Sequence, residues 1–116
     1  MSADARNWSY SWACRFPSHK AVLNVLADRF NDKYRCAWPS VPTMAANTGI
    51  ASRTVQRAVR ELEHDGFVIV VPMVRRGTRI NVANLYRLPF FTEDAAVIPY
   101  PEWEPAARDV TGIMSP

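Results

Sequence analysis

Residues 53–60 combine side chains that could bind a polyanion with side chains that could pack a core. On a helix that turns about 100° per residue, two opposite arcs separate. One arc carries hydrogen-bond donors: Arg53, Gln56, Arg57 and Arg60. The other carries apolar residues at the i, i+3, i+4, i+7 spacing of a packing face: Val55, Ala58, Val59 and Leu62. Guanidinium and carboxamide groups can form paired hydrogen bonds with base edges or phosphate, although charged helix faces are often simply solvated.

Two shorter helices must position this arginine helix. A helix is predicted from Pro17 and Ser18 to about residue 31, because an apolar stripe runs through it. A second helix is predicted over residues 41–48, with Ser40 as its N-cap and Gly49 ending it in a left-handed conformation. The arginine helix then starts at about residue 52, so the connection has the length of a helix-turn-helix turn.

A β-hairpin with a basic tip is predicted after the arginine helix. The stretch "FVIVVPMV" is rich in β-branched residues, "RRGTR" follows it, and "INVANLYRL" can form the return strand. We expect Ile80, Val82, Tyr86 and Leu88 to lie mostly on one face of that strand. The predicted fold class is therefore α+β: a three-helix core followed by a hairpin of two or three strands.

The two ends of the chain differ from this central unit. Residues 1–16 contain alternating Trp8, Tyr10 and Trp12, which would share one face of a short strand. Residues 90–116 are acidic and rich in proline, and we expect a tail in which Trp103 can dock on the domain. The central domain is predicted over residues 17–89. A homodimer or a protein partner could use the three N-terminal aromatic residues or the tail.

Composition limits the function classes. The 116 residues fit one domain, and residues 1–92 hold thirteen Lys and Arg against six Asp and Glu, which suits a polyanion-binding domain. Cys14 and Cys36 are expected to be free core thiols. No metal-ligand spacing, cofactor motif or catalytic set is found, so we expect a protein that is not an enzyme, with no metal and no cofactor. The absence of a signal pattern and of a long apolar run predicts a cytoplasmic protein that does not contact a membrane.

The central segment resembles the winged helix-turn-helix domains of bacterial regulators and of phage and plasmid replication proteins. The resemblance rests on matching positions from residue 17 to residue 88, which are Trp38, Pro39, Ser40, Met44, Ala45, Thr48, Gly49, Arg53, Thr54, Val55, Arg57, Leu62, Gly66, Asn84, Tyr86 and Leu88. One departure is Ala51, where such domains commonly have a serine that caps the recognition helix. We expect Ser52 to cap one residue later.

The resemblance implies a binding surface for double-stranded DNA. The recognition helix would enter the major groove with Ser52, Arg53, Thr54, Gln56, Arg57 and Arg60. Ser40 and Thr43, at the start of the preceding helix, would bind the DNA backbone. The hairpin, or wing, would reach phosphates or a minor groove with Arg75, Arg76, Thr78 and Arg79.

Three functions stay open from the sequence. The first is a sequence-specific regulator of transcription or excision in a phage or mobile element, acting in the bacterial cytoplasm or nucleoid. The second is an origin-binding replication protein of a phage or plasmid. The third is a winged helix that binds a protein partner through the aromatic segment or the acidic tail. The DNA target site, and whether binding activates or represses, do not follow from the sequence.

Overall fold

The computed structural model describes residues 3–11, 14, 16–106 and 113–114. Four helices precede a β-sheet in chain order. The elements are α1 (Ala3–Ser11), α2 (Pro17–Asp28), α3 (Val41–Thr48), α4 (Ser52–His64), β1 (Ile69–Arg75), β2 (Asn81–Arg87), β3 (Ala96–Val97), β4 (Trp103–Pro105) and β5 (Ile113–Met114). The α+β class, the central helices and the hairpin are those predicted from the sequence.

The helical core forms where the apolar stripes of α2 and α4 meet. Leu23 and Leu26 from α2 are fully buried with Val55 and Leu62 from α4, and Met44 joins them from α3. The helix α2 ends at Asp28, a few residues before the predicted end. The reason lies just beyond it, where the Asn31 side chain accepts hydrogen bonds from two backbone N–H groups and turns the chain away.

The N-terminal aromatic segment is helical, so the predicted strand is wrong over residues 8–11. Trp8 and Tyr10 belong to α1, and Trp12 lies outside the described residues. The face of α1 toward the core contains Ala5, Trp8 and Ser9, which have helical spacing. Ser9 can be buried on this face because its hydroxyl has a partner: it donates to the Arg6 carbonyl at 2.8 Å. A polar residue on the packing face hides the helical stripe, and the alternation of aromatic residues then mimics a strand.

The strands β1 and β2 form the wing, an antiparallel hairpin. Its register explains how β1, the middle strand of the sheet, accommodates a proline. Pro72 lies opposite Asn84 and has β2 on one side and β4 on the other. The Ala37 and Tyr86 backbones exchange hydrogen bonds on the outer side of β2, so the positions facing each other at Val70–Tyr86 and Pro72–Asn84 do not bond across the hairpin. The missing N–H of Pro72 therefore costs no β1–β2 hydrogen bond.

The register shifts between Met73 and Val74, and this bulge corrects the predicted strand face. Tyr86 and Leu88 do pack toward the helices, as expected. Val82 instead packs with residues on the opposite face of the sheet, and Ile80 is exposed at the hairpin end. The extra residue in β2 reverses the alternation of sides for the positions before it.

The acidic C-terminal segment packs against the wing through residues 101–106. The strand β4 pairs antiparallel with β1 and makes a three-stranded sheet in the order β2-β1-β4. Trp103 packs on a second buried cluster, which includes Val71, Met73 and Leu85. The expected docking of Trp103 is thus confirmed, and this segment covers the face of the wing that points away from the helices.

Both cysteines are free, as expected. Cys36 is buried in the second cluster, and burial raises its pKa to about 12. Cys14 is only half-buried, and burial also raises its pKa. Both thiols therefore stay protonated at neutral pH. Among the described residues, no helix is long and apolar enough to cross a membrane.

Candidate nucleic-acid interface

The helix α4 separates its two faces as the spacing predicted. Its packing residues are buried, namely Val55, Ala58, Val59 and Leu62. Its basic face is exposed, namely Arg53, Gln56, Arg57 and Arg60. In the described part of the chain, no side-chain hydrogen bond or ion pair engages these four residues. Their donors therefore point outward without an intramolecular acceptor, which is the state needed for bidentate contacts to a ligand.

One flank of α4 lies against the start of α2. Thr54 is half-buried there and lines a groove with Arg57, Phe16 and His19. Below this groove, His19 Nε2 lies 3.3 Å from Glu61 Oε1, so a polar contact joins the two helices. The predicted base-contacting residue Thr54 thus lies at the edge of the exposed face, while Arg57 lies nearer its centre.

The other flank of α4 faces the wing. Gln56, Arg60 and Glu63 line a groove that Asn84 and Tyr86 close from β2. The Asn84 amide lies 3.5 Å from the Tyr86 hydroxyl, and burial raises the pKa of Tyr86. The hydroxyl is therefore neutral at physiological pH. Asn84 is one of the positions on which the family resemblance rests, but its place in this groove depends on how β2 packs beside α4.

The start of α4 has no side-chain cap. Ala51 occupies the N-cap position with extended backbone angles, and Ser52 is the first helical residue. The expectation that Ser52 caps the helix one residue later is wrong, because the helix already begins at Ser52. The carbonyl of Ala51 still accepts the first helical bond from Val55, but the first N–H groups of α4 lack a capping side chain.

Replacing Ala51 by serine is expected to stabilise the domain. Serine at an N-cap is worth about 1 kcal/mol over alanine, which raises the melting temperature by about 4 °C for a domain of this size. Thermal melting followed by circular dichroism measures the shift. The matched control is Ala46→Ser, an exposed alanine inside α3, where serine should cost a few tenths of a kcal/mol. Equal melting temperatures for the two variants would contradict the cap assignment.

The start of α3 presents one free hydroxyl to a ligand. Ser40 caps the helix by accepting the Thr43 N–H at 3.1 Å, as predicted, and its own hydroxyl donates to Thr43 Oγ1 at 2.9 Å. The Thr43 hydroxyl hydrogen is not used in these two bonds. Only one of the two hydroxyls donates within this pair, so one hydroxyl hydrogen stays available for a ligand, and both Ser40 and Thr43 stay predicted contacts to the DNA backbone.

The wing tip divides the four predicted wing residues into two kinds. Arg75 and Arg79 are exposed, and within the described residues their side chains have no hydrogen bond or ion pair. The Thr78 hydroxyl donates to the Arg75 carbonyl at 2.8 Å and accepts the Ile80 N–H at 3.1 Å. The single hydroxyl hydrogen of Thr78 is therefore used inside the turn. Thr78 thus helps to form the turn, and its predicted contact with DNA stays a prediction.

Arg76 is held by the C-terminal segment. Its Nε donates to the Pro101 carbonyl at 3.0 Å, and one terminal nitrogen lies 3.4 Å from the Trp103 carbonyl. The Arg76 backbone N–H also donates to the Glu102 carbonyl at 2.7 Å. The Arg76 side chain is thus engaged within the protein in this conformation, and its predicted contact with DNA stays a prediction. Sequence reasoning missed these contacts because they join residues about 25 positions apart.

A family model described as "helix-turn-helix domain" matches residues 17–68. This segment is a helix-turn-helix domain. It covers α2, α3 and α4, and the hairpin that follows gives the domain a wing. No curated protein and no solved structure matches the chain. The helix-turn-helix assignment indicates DNA binding.

Proposed function

We propose that this winged helix-turn-helix protein binds double-stranded DNA in a sequence-specific manner, without catalysis. The observation that carries the proposal is the exposed face of α4, where three arginines and a glutamine have no intramolecular acceptor among the described residues. In this proposal α4 enters the major groove, Arg53, Gln56 and Arg57 contact base edges, and Arg60 contacts phosphate. Thr43 binds the DNA backbone on one side of α4.

The exposed arginines of the wing complete the proposed surface. Arg75 and Arg79 project from the end of the hairpin, on the other side of α4 from the α2 groove. Phosphate contacts fix the position of a protein on the duplex, and base contacts select the sequence. We assign the first task to the wing and to α3, and the second to α4.

Within this activity we propose control of transcription or excision in a mobile element. Origin binding by a replication protein uses the same chemistry, and mapping of the genomic DNA bound in cells separates the two. A protein-interaction module receives less support than DNA binding. Of the two surfaces on which it depended, the aromatic segment is helical over residues 8–11, and its Trp8 packs on Phe91 at 5.7 Å between ring centres.

A salt titration tests the DNA-binding proposal. The protein is expected to bind a pool of random duplexes at low salt, because binding releases the counterions of the contacted phosphates. The logarithm of the binding constant should fall with the logarithm of salt concentration by about 0.9 per phosphate contact. Fluorescence anisotropy measures the binding constant at each salt concentration, and single-stranded DNA of equal length is the comparison. An absence of duplex binding at low salt would refute the proposal.

Replacing Arg75 and Arg79 together by alanine is expected to weaken binding to preferred and unrelated duplexes by similar factors. The two side chains are exposed at the wing tip, and in the proposed complex they contact phosphates, which carry no sequence information. The salt dependence should fall by about 1 per lost contact. The same titration on the double variant measures both effects. Loss of sequence preference, with unchanged binding to unrelated DNA, would show that the wing reads bases.

A further inference from the structure

At the wing tip, a carboxylate accepts a hydrogen bond from a backbone amide. The Gly77 N–H donates to Glu104 Oε2, and the nitrogen–oxygen distance is 2.7 Å. Gly77 has a φ of +79°, in the left-handed region that glycine adopts readily. The turn thus directs a backbone donor toward an anion, and the anion present belongs to the protein's own C-terminal segment.

The position of Glu104 is fixed by backbone pairing. Glu104 lies in β4 opposite Val74 of β1, and the neighbouring pair joins Trp103 to Arg75. Trp103 is anchored in the second buried cluster and contacts Tyr100 at 4.7 Å between ring centres. The backbone on either side of this carboxylate is therefore tied to the wing.

The carboxylate also lies among the charges of the proposed DNA surface. Glu104 lines a groove with Thr78 and Arg79, and Glu102 lies two residues before it in the chain. The tip therefore brings the positive charges of Arg75, Arg76 and Arg79 together with two negative charges. Much of the attraction that the three arginines would exert on any phosphate is offset.

The geometry points to Glu104 as a residue that occupies the place of a DNA phosphate at the wing tip and thereby weakens the binding of any duplex. This inference rests on the proposed DNA binding. A duplex that brings a phosphate to the Gly77 N–H must displace this carboxylate against charge repulsion. The cost is the same for every DNA sequence. Duplexes of every sequence are therefore bound less well than the arginine count alone suggests.

Glu104→Gln tests the inference, because it removes the charge but leaves a side-chain oxygen that can still accept the Gly77 N–H. A unit charge about 4 Å away in water changes affinity by about fivefold. We expect binding to a random duplex to tighten by that factor and the salt dependence to rise by about 1. Affinity for unrelated DNA, measured at one salt concentration, is the primary readout.

The matched control is Glu93→Gln, which makes the same change in net charge. Glu93 is exposed, and its contact to Arg87 is made by its backbone carbonyl, not its carboxylate. We expect less than a twofold effect from it. Equal gains in both variants would overturn the inference by showing a general charge effect. Weaker binding by Glu104→Gln would also overturn it, since Glu104 would then help to position the wing for DNA.

Two further measurements keep the test decisive. Glu102→Gln serves as a second variant if Glu104→Gln proves unstable. It removes the charge of an exposed side chain that has no hydrogen bond or ion pair among the described residues, and it should tighten binding by less than fivefold. The amide resonance of Gly77 should shift when wild-type protein binds DNA, and an unchanged resonance would overturn the inference. If wild-type protein binds no duplex, the proposed function fails first, independently of Glu104.

Discussion

Arg57→Ala is expected to weaken binding to the preferred duplex by about 1–3 kcal/mol, or about 5- to 150-fold. Arg57 lies near the middle of the exposed face of α4, and its guanidinium has no hydrogen bond or ion pair in the described part of the chain. A bidentate contact to one base would therefore be lost, so preference at one or two base pairs should flatten. Selection of binding sites from a random library, followed by titration of the best site, measures both effects.

The control for Arg57 is Arg6→Ala, which makes the same change in net charge. Arg6 lies on α1 and pairs with Asp28 at 3.3 Å, with both side chains partly exposed to solvent. Such a surface pair contributes little to stability. Its loss should leave sequence preference unchanged and affinity nearly so. If the Arg57 variant keeps full preference while the wing variant loses it, the assignment of base reading to α4 is wrong.

Val55→Asp is expected to unfold the domain. Val55 is fully buried between α4 and the other helices, and an unpaired carboxylate at that position loses its hydration without gaining a partner. The penalty of several kcal/mol is comparable with the whole stability of a small domain, which is about 5–15 kcal/mol. Thermal melting by circular dichroism should show no cooperative transition.

The neighbouring position provides the control with the same new side chain. Gln56 is exposed on the opposite face of α4, so Gln56→Asp should remain folded and lose no more than about 1 kcal/mol. DNA binding by this variant should weaken, because a negative charge then faces the duplex. Similar melting curves for the two variants would contradict the division of α4 into a packing face and a binding face.

The parts of the fold that the sequence predicted are those with local signals. The cap at Ser40, the left-handed Gly49 and the i, i+3, i+4 stripe of α4 each depend on residues within one or two turns of each other. The predicted strand failed over residues 8–11 because buried Ser9 does not register as part of an apolar stripe. Local patterns are therefore sufficient here only where the packing face is apolar.

The parts that the sequence could not predict depend on contacts between distant residues. No local pattern indicates that Arg76 bonds to the carbonyls of Pro101 and Trp103, or that Glu104 reaches the Gly77 amide. The bulge that moves Val82 to the other face is also invisible, since it arises from the pairing of two strands. These features separate Arg75 and Arg79, which have no side-chain hydrogen bond among the described residues, from Arg76, which bonds to the C-terminal segment, and from Thr78, which bonds within the turn.

The pairing of β4 with β1 also bears on self-association. The strand β1 reads "IVVPMVR", an apolar segment whose open side would offer hydrogen bonds to another copy of the chain. The strand that covers it has three residues, among them Glu104 and Pro105. Short length, a charge and a proline are features that discourage edge-to-edge pairing of sheets. The C-terminal segment thus covers an apolar edge that favours pairing with another copy, and the new edge of the sheet, β4, disfavours such pairing.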